Sequence, residues 1–279
     1  VTAAGRRPAK GHTVREFDTP GIISVVVEVH LSHIRIVAAE RATTVVDVRP
    51  QNPDRPLDVE IVEQTRVDFC AGLLRVRMPR PPSQEQAASR THGAIEVVIE
   101  VPNGSQIQAD TEIGAIHTRG ILGDCRLTSA LGDIHVDTAH ALELTAEAGA
   151  VSVRQAGGRA EIRVSQGATT IDTITGELLV ESAHGDITVG AARADVTART
   201  AVGSIRVGEA VRGAISVETS MGNLEVGIHP GTAAQFDVHT EFGSVRNEFD
   251  AAERAVTSDD RVQVRARASV GDIVVRRAA

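Results

Sequence analysis

A glycine recurs about every eighteen residues through the middle of this chain, and each time it opens the same short motif. Gly-x-(Ile/Val/Leu) units, with one Thr variant, stand at Gly114, Gly132, Gly149, Gly167, Gly185, Gly203 and Gly222, spaced 18, 17, 18, 18, 18 and 19 residues apart. Looser copies follow at Gly243 and Gly271, and weaker half-repeats lie between the strong ones at 123–127, 141–146, 160–164, 176–180, 194–198 and 213–217. A fixed period of this length marks a repeat architecture, in which each unit buries its apolar side only against its neighbours.

Within the unit the side chains sort by parity. Two residues after the glycine stand Ile116, Ile134, Val151, Thr169, Ile187, Ile205, Leu224, Val245 and Ile273. Four after it stand Thr118, Val136, Val153, Ile171, Val189, Val207, Val226, Asn247 and Val275. Between these columns are His117, His135, Ser152, Thr170, Thr188, Arg206, Glu225 and Arg246. Such alternation belongs to half-buried strands, so the two mostly apolar columns are expected to point inward and the third to face water.

A strand-and-turn spacing of nine would also suit an antiparallel meander, but a meander has no reason to keep an eighteen-residue memory. In a solenoid, residues one coil apart stack directly. The expected fold is therefore all-β: a parallel β-solenoid, or β-helix, with coils of about 18 residues, two or three faces and atypical β caps at both ends. Glycine at each corner allows φ > 0, and Asp or Asn beside it suits turn geometry.

The boundaries follow from the pattern. Residues 1–13 read as a flexible tail, 14–102 as N-terminal strands and cap, 103–228 as regular coils, and 229–279 as C-terminal coils and cap. In the first part, 22–29, 33–40, 43–50, 58–67, 73–79 and 94–102 read as strands, and 81–93 as a loop. All five phenylalanines (Phe17, Phe69, Phe236, Phe242 and Phe249) lie toward the chain ends, where bulk can close an open stack. The polar insertion 250–260 and the arginine-rich strand 261–268 read as devices that blunt the last edge.

Composition narrows the partners. Trp and Tyr are absent, so the core is built from Val, Ile, Leu and Ala. Lys10 is the only lysine, which points to a GC-rich bacterial genome. A net charge of −8 argues for solubility and against nucleic acid as a partner. No apolar run reaches the ~18 residues of a membrane helix, and residues 1–20 lack the apolar stretch of a secretory signal. These features predict a cytoplasmic protein that is a monomer or small oligomer. Cys70 and Cys125 form no C-x-x-C pair and read as reduced thiols in core positions.

Chemistry should show as an irregularity in the repeat. His117 and His135 fall one coil apart in the outward column and His140 follows at a turn, so these three are the candidates for a surface metal site. Two solvated histidines on a sheet face account for the same pattern, and no third ligand is fixed. Other histidine outliers are His184, His229 and His239. Asp133, Asp186 and Asp272 follow repeat glycines. Calcium β-rolls of this period use a G-G-x-G-x-D turn, which is absent here, so turn formation is the expected role of these aspartates. No G-x-S-x-G, H-E-x-x-H or phosphate-binding loop is present. The expectation is a protein without catalytic residues or cofactors.

The opening FDTPGIISVVVEV, the stretch VEQTRVDF, the repeated GDI-x-V units and the ending VQVRARASVGDIVVRR resemble the bacterial β-strand-repeat proteins catalogued as putative adhesins. These form a domain-of-unknown-function family (number 4097), and the likeness is to its actinobacterial type. It spans nearly everything from Phe17 to Arg277. The resemblance implies a β-solenoid without an established reaction or ligand. The expected function is a non-enzymatic binding or scaffolding surface for a protein or cell-envelope partner. The alternatives are a polysaccharide-binding or polysaccharide-active β-helix and a self-assembling filament scaffold.

Overall fold

The computed structural model describes residues 11–79, 93–249 and 260–278. The chain is 69% strand and 4% helix, and it divides into two compact units, Val1–Gly132 and Asp133–Ala279. Each unit is a parallel β-solenoid with two faces.

The first unit contains β1 (Thr13–Asp18), β2 (Ser24–Ala39), β3 (Thr43–Pro50), α1 (Pro56–Gln64), β4 (Arg66–Cys70), β5 (Leu73–Arg77), β6 (Ile95–Pro102), β7 (Gln106–Ile113), β8 (Ile116–Arg119), β9 (Ile121–Leu122) and β10 (Cys125–Leu131). The segments 22–29 and 33–40, expected as two strands, form the single 16-residue strand β2. Its first half lies between β5 and β7 on one face, and its second half between β6 and β8 on the other, all parallel. The first full coil is therefore an interior rung. Outside it the parallel stack ends in antiparallel strands: β4 on β5, β3 on β6, and β1 on β3. Phe17 of β1 and Phe69 of β4 meet at 5.1 Å between ring centroids.

One element departs from the strand expected over 58–67, because residues 56–64 are helical. The alternating D-V-E-I-V-E run also places Asp58, Ile61 and Val62 at helical spacing, and these are the helix's buried residues. Pro56 starts the helix, a position that needs no N–H donor. The Asp58 carboxylate accepts the backbone N–H groups of Asn52 and Ala94, both at 3.0 Å, which ties the helix to β6.

The second unit alternates strictly between its faces. One face carries β11 (Ile134–Ala139), β13 (Val151–Ala156), β15 (Thr169–Ile174), β17 (Ile187–Ala192), β19 (Ile205–Ala210), β21 (Leu224–Ile228), β23 (Val245–Asn247) and β25 (Ile273–Arg277). The other carries β12 (Leu142–Ala148), β14 (Ala160–Gln166), β16 (Leu178–His184), β18 (Val196–Val202), β20 (Gly213–Met221), β22 (Ala233–Phe242) and β24 (Arg261–Val270). Strong half-repeats stack on strong and weak on weak: Ile187 pairs with Ile205, and Val196 with Ile215. Ile187, Val189, Val207 and Val226 are fully buried.

The corner glycines are a steric requirement of this stacking. Gly185 has φ +150°, and a Cβ there would lie 2.0 Å from the carbonyl oxygen of Gly167 one coil back. No side chain fits so close to a backbone oxygen.

The last coils do not stack in chain order. β24 pairs with β20 on one side and β22 on the other, and β25 lies likewise between β21 and β23. The arginine-rich strand 261–268, expected at the terminus, is interior, and the β22–β23 coil is outermost. Volume explains the choice. The inward residues of β24 are Val262, Val264, Ala266 and Ala268, which fit a narrow bore, whereas β22 carries Phe236, stacked on Phe249 at 4.9 Å. Val245 and Asn247 are exposed as a result, although their columns are otherwise inward. Most of the insertion 250–260 lies outside the described residues.

Candidate functional site

Each strand of the weaker half-repeat turns a corner at its end. In the second unit the inward row closes at Thr200, Thr219 and Thr240, whose hydroxyls donate to the carbonyl oxygens of Gly185, Gly203 and Gly271 at 3.2, 2.9 and 2.9 Å. Two residues on, the same parity places the next side chain outside the bore. On β18, β20, β24 and β22 that residue is Val202, Met221, Val270 and Phe242, in register on successive strands. Their exposures are 42, 56, 45 and 71%. At ~4.8 Å per strand they form an apolar ridge roughly 14 Å long on a rigid backbone. The first unit has its own short version, Leu31, Ile113 and Leu131, also in register. Continued alternation along these strands would place the positions inward, and the corner turns them out instead. The signal that could have found them is the apolar residue repeated just before the corner glycine.

Beside the ridge runs a ladder of short polar side chains. Ser204 N–H donates to Asp186 at 2.7 Å, Asn223 N–H to Ser204 Oγ at 3.2 Å, Asp272 N–H to Asn223 Oδ1 at 2.9 Å, and Ser244 N–H to Asp272 at 2.8 Å. Asp133 takes the N–H of Ala150 in the same way at 2.8 Å. The two bonds from Ser244, backbone and hydroxyl, hold the Asp272 carboxyl below the usual range. These aspartates brace turns one coil away.

Among the described residues of the first unit is a polar cleft of about 290 Å³, lined by His33, Ile34, Arg35, Gln51, Glu96 and His117. β2 supplies His33 and Arg35, in register with Glu96 of β6 and His117 of β8. Arg35 and Glu96 approach to 3.8 Å. His33 Nδ1 accepts the N–H of Ala115 at 3.3 Å, so the neutral ring carries its proton on Nε2. The sequence singled out His117 and missed the neighbours that β2 brings beside it.

The other two metal candidates belong to the second unit. His135 is exposed on β11 of the second unit, opposite Ser152. His140 is exposed at the turn after β11, with its carbonyl accepting the Gly158 N–H at 2.6 Å. Among the described residues no group of three or more His, Cys, Asp or Glu is placed to hold a metal ion. Cys125 is buried in its inward column, and burial pushes its thiol up to about 12. Cys70, expected in the core, is exposed at the end of β4, an edge strand of its face. Among the described residues no helix is long and apolar enough to cross a membrane.

The family described as Toastrack DUF4097 matches residues 26–276. No curated protein matches the chain. Among solved structures, the chain is similar to a putative adhesin from Bacteroides fragilis, with 13% identity, TM-score 0.45, and 97% of this chain and 100% of that one covered. It is also similar to a putative adhesin from Parabacteroides distasonis, with 11% identity, TM-score 0.42, and coverage of 94% and 96%. A putative lipid binding protein from the same species shares 10% identity at TM-score 0.31, with coverage of 96% and 97%.

Proposed function

The chain belongs to the Toastrack DUF4097 family, and we propose that it is a non-enzymatic scaffold that presents a rigid surface to a macromolecular partner. The observation behind this reading is the exposed column Val202, Met221, Val270 and Phe242. An isolated exposed apolar residue is ordinary, but four in register on consecutive strands form a contiguous patch of the kind that binds a partner. Met and Phe are suited to such contacts. The fixed spacing of the rungs supports recognition of an extended protein or cell-envelope component. Lack of catalysis is supported by what the polar groups do: Asp133, Asp186 and Asp272 hold backbone N–H groups, and the Cys125 thiol is far from its reactive thiolate form. The single lysine supports an actinobacterial source.

The test uses the full chain as bait against soluble and envelope fractions of the source organism. Wild type and Thr188→Asp should retain the same partner, and Val202→Asp and Met221→Asp should lose it. Equal retention by all four would contradict the reading. A second reading, polysaccharide binding, is favoured by the cleft of His33, Arg35, Gln51, Glu96 and His117, which offers hydroxyls both donors and acceptors. Calorimetry with neutral and uronate oligosaccharides, repeated with Arg35→Ala, separates it from the first.

A further inference from the structure

Among the described residues, nothing pairs with the outer edges of the last coil of the second unit. Among the described residues β22 pairs only with β24, and β23 only with β25. Ala233 donates its N–H to Asp260 on the β24 side. In a parallel strand the N–H and C=O of a residue point to the same side, and the side alternates along the chain. Ala234, Phe236, Val238 and Thr240 therefore direct theirs away from the stack. The coil also keeps the signature of an interior rung. Gly243 has φ +154°, Ser244 joins the corner ladder, and Val245 occupies a core column yet is 46% exposed. The first unit ends in antiparallel strands, with Phe17 on Phe69.

We propose that the β22–β23 end is the interface of a homodimer, two copies meeting end to end about a two-fold axis. Two features select a second copy over a single bound strand. A lone strand would satisfy one edge and leave the other open, whereas an identical two-faced end satisfies both. The edge also pairs opposite charges with itself, adding the partner's imidazole to an Asp237 carboxylate that Arg267 and Arg265 of its own copy hold in place at 2.5 and 3.7 Å. Antiparallel pairing of two β22 strands about Val238 sets Asp237 opposite the partner's His239, and the symmetry repeats that pair. An isologous contact consumes the same surface on both copies, so assembly stops at two.

Sedimentation velocity on the full chain tests this with residues outside the Val202–Phe242 column, so its failure is distinct from failure of the scaffold reading. The expected result is a reversible species of twice 29.4 kDa. Val238→Pro deletes one outward N–H and leaves the β22–β24 ladder intact, because edge strands tolerate proline there. Val245→Lys places a charge at the same end. Each should weaken dimerisation at least about tenfold while leaving circular dichroism unchanged. If Val238→Pro fails to fold, Val245→Lys decides. A monomeric wild type at about 100 μM, an open-ended polymer, or a dimer unaffected in a folded variant would overturn the proposal.

Discussion

Asp272 donates its backbone N–H to the Asn223 side-chain oxygen at 2.9 Å across 49 residues of chain, while Ser244, much nearer in sequence to Asn223, lies one rung further out. The final coil has been inserted before the one that precedes it in the chain. The insertion also sets the order of the apolar ridge, placing Val270 between Met221 and Phe242.

The inward and outward assignment is tested by neighbours. Ile187 is fully buried, and a carboxylate there has no partner. Ile187→Asp should cost about 4 kcal/mol or more, and Thr188→Asp, on the outer surface, less than about 1 kcal/mol. Chemical denaturation measures both, and equal losses would defeat the assignment.

A Thr rung in the core gives the opposite sign. Thr169 is 1% exposed and its hydroxyl has no hydrogen-bond partner among the described residues. Its column neighbours are Val151 and Ile187. Thr169→Val keeps the shape, removes the unpaired group and should stabilise the protein by about 1 kcal/mol. A loss of stability would show that the hydroxyl has a role the packing does not reveal.

How much of this was legible in the sequence depends on what set each feature. The columns through Ile187 and Val189 were legible because direct stacking imposes one residue type at one position. Helix 56–64 was not, because its short run fits period two as well as 3.6, and the Asp58 contact to Ala94 that decides it is long-range. The order β20–β24–β22 was hidden for a related reason. Both coils carry the same repeat signature, and what distinguishes them is the bulk of Phe236 against the smaller Val264 in register with it. The cleft needed β2 beside β8, a pairing between segments far apart in the chain.

The corner ladder predicts a pH dependence. The folded-state pKa of Asp272 is depressed by the bonds from Ser244. Its contribution is present above the unfolded carboxylate value of about 3.9 and is lost as pH falls through the folded value. Asp272→Asn retains an acceptor but cannot titrate. The gap in melting temperature between wild type and variant should be constant at neutral pH and change only in acid. A change centred near neutrality would contradict this origin.

The most direct test is a disulfide measurement on the last three rungs, because the order β20–β24–β22 sets which coil is outermost and which residues end the ridge. Ser216 and Arg265 are in register on adjacent strands, within the Cα separation of about 4.4–6.8 Å that a disulfide spans. Asp237 lies one strand further, beyond Arg265. In a Cys70→Ser background, Ser216→Cys with Arg265→Cys should oxidise to an intramolecular disulfide, and Ser216→Cys with Asp237→Cys should not. Bond formation by the second pair and not the first would mean that the coils stack in chain order, and the account would fail.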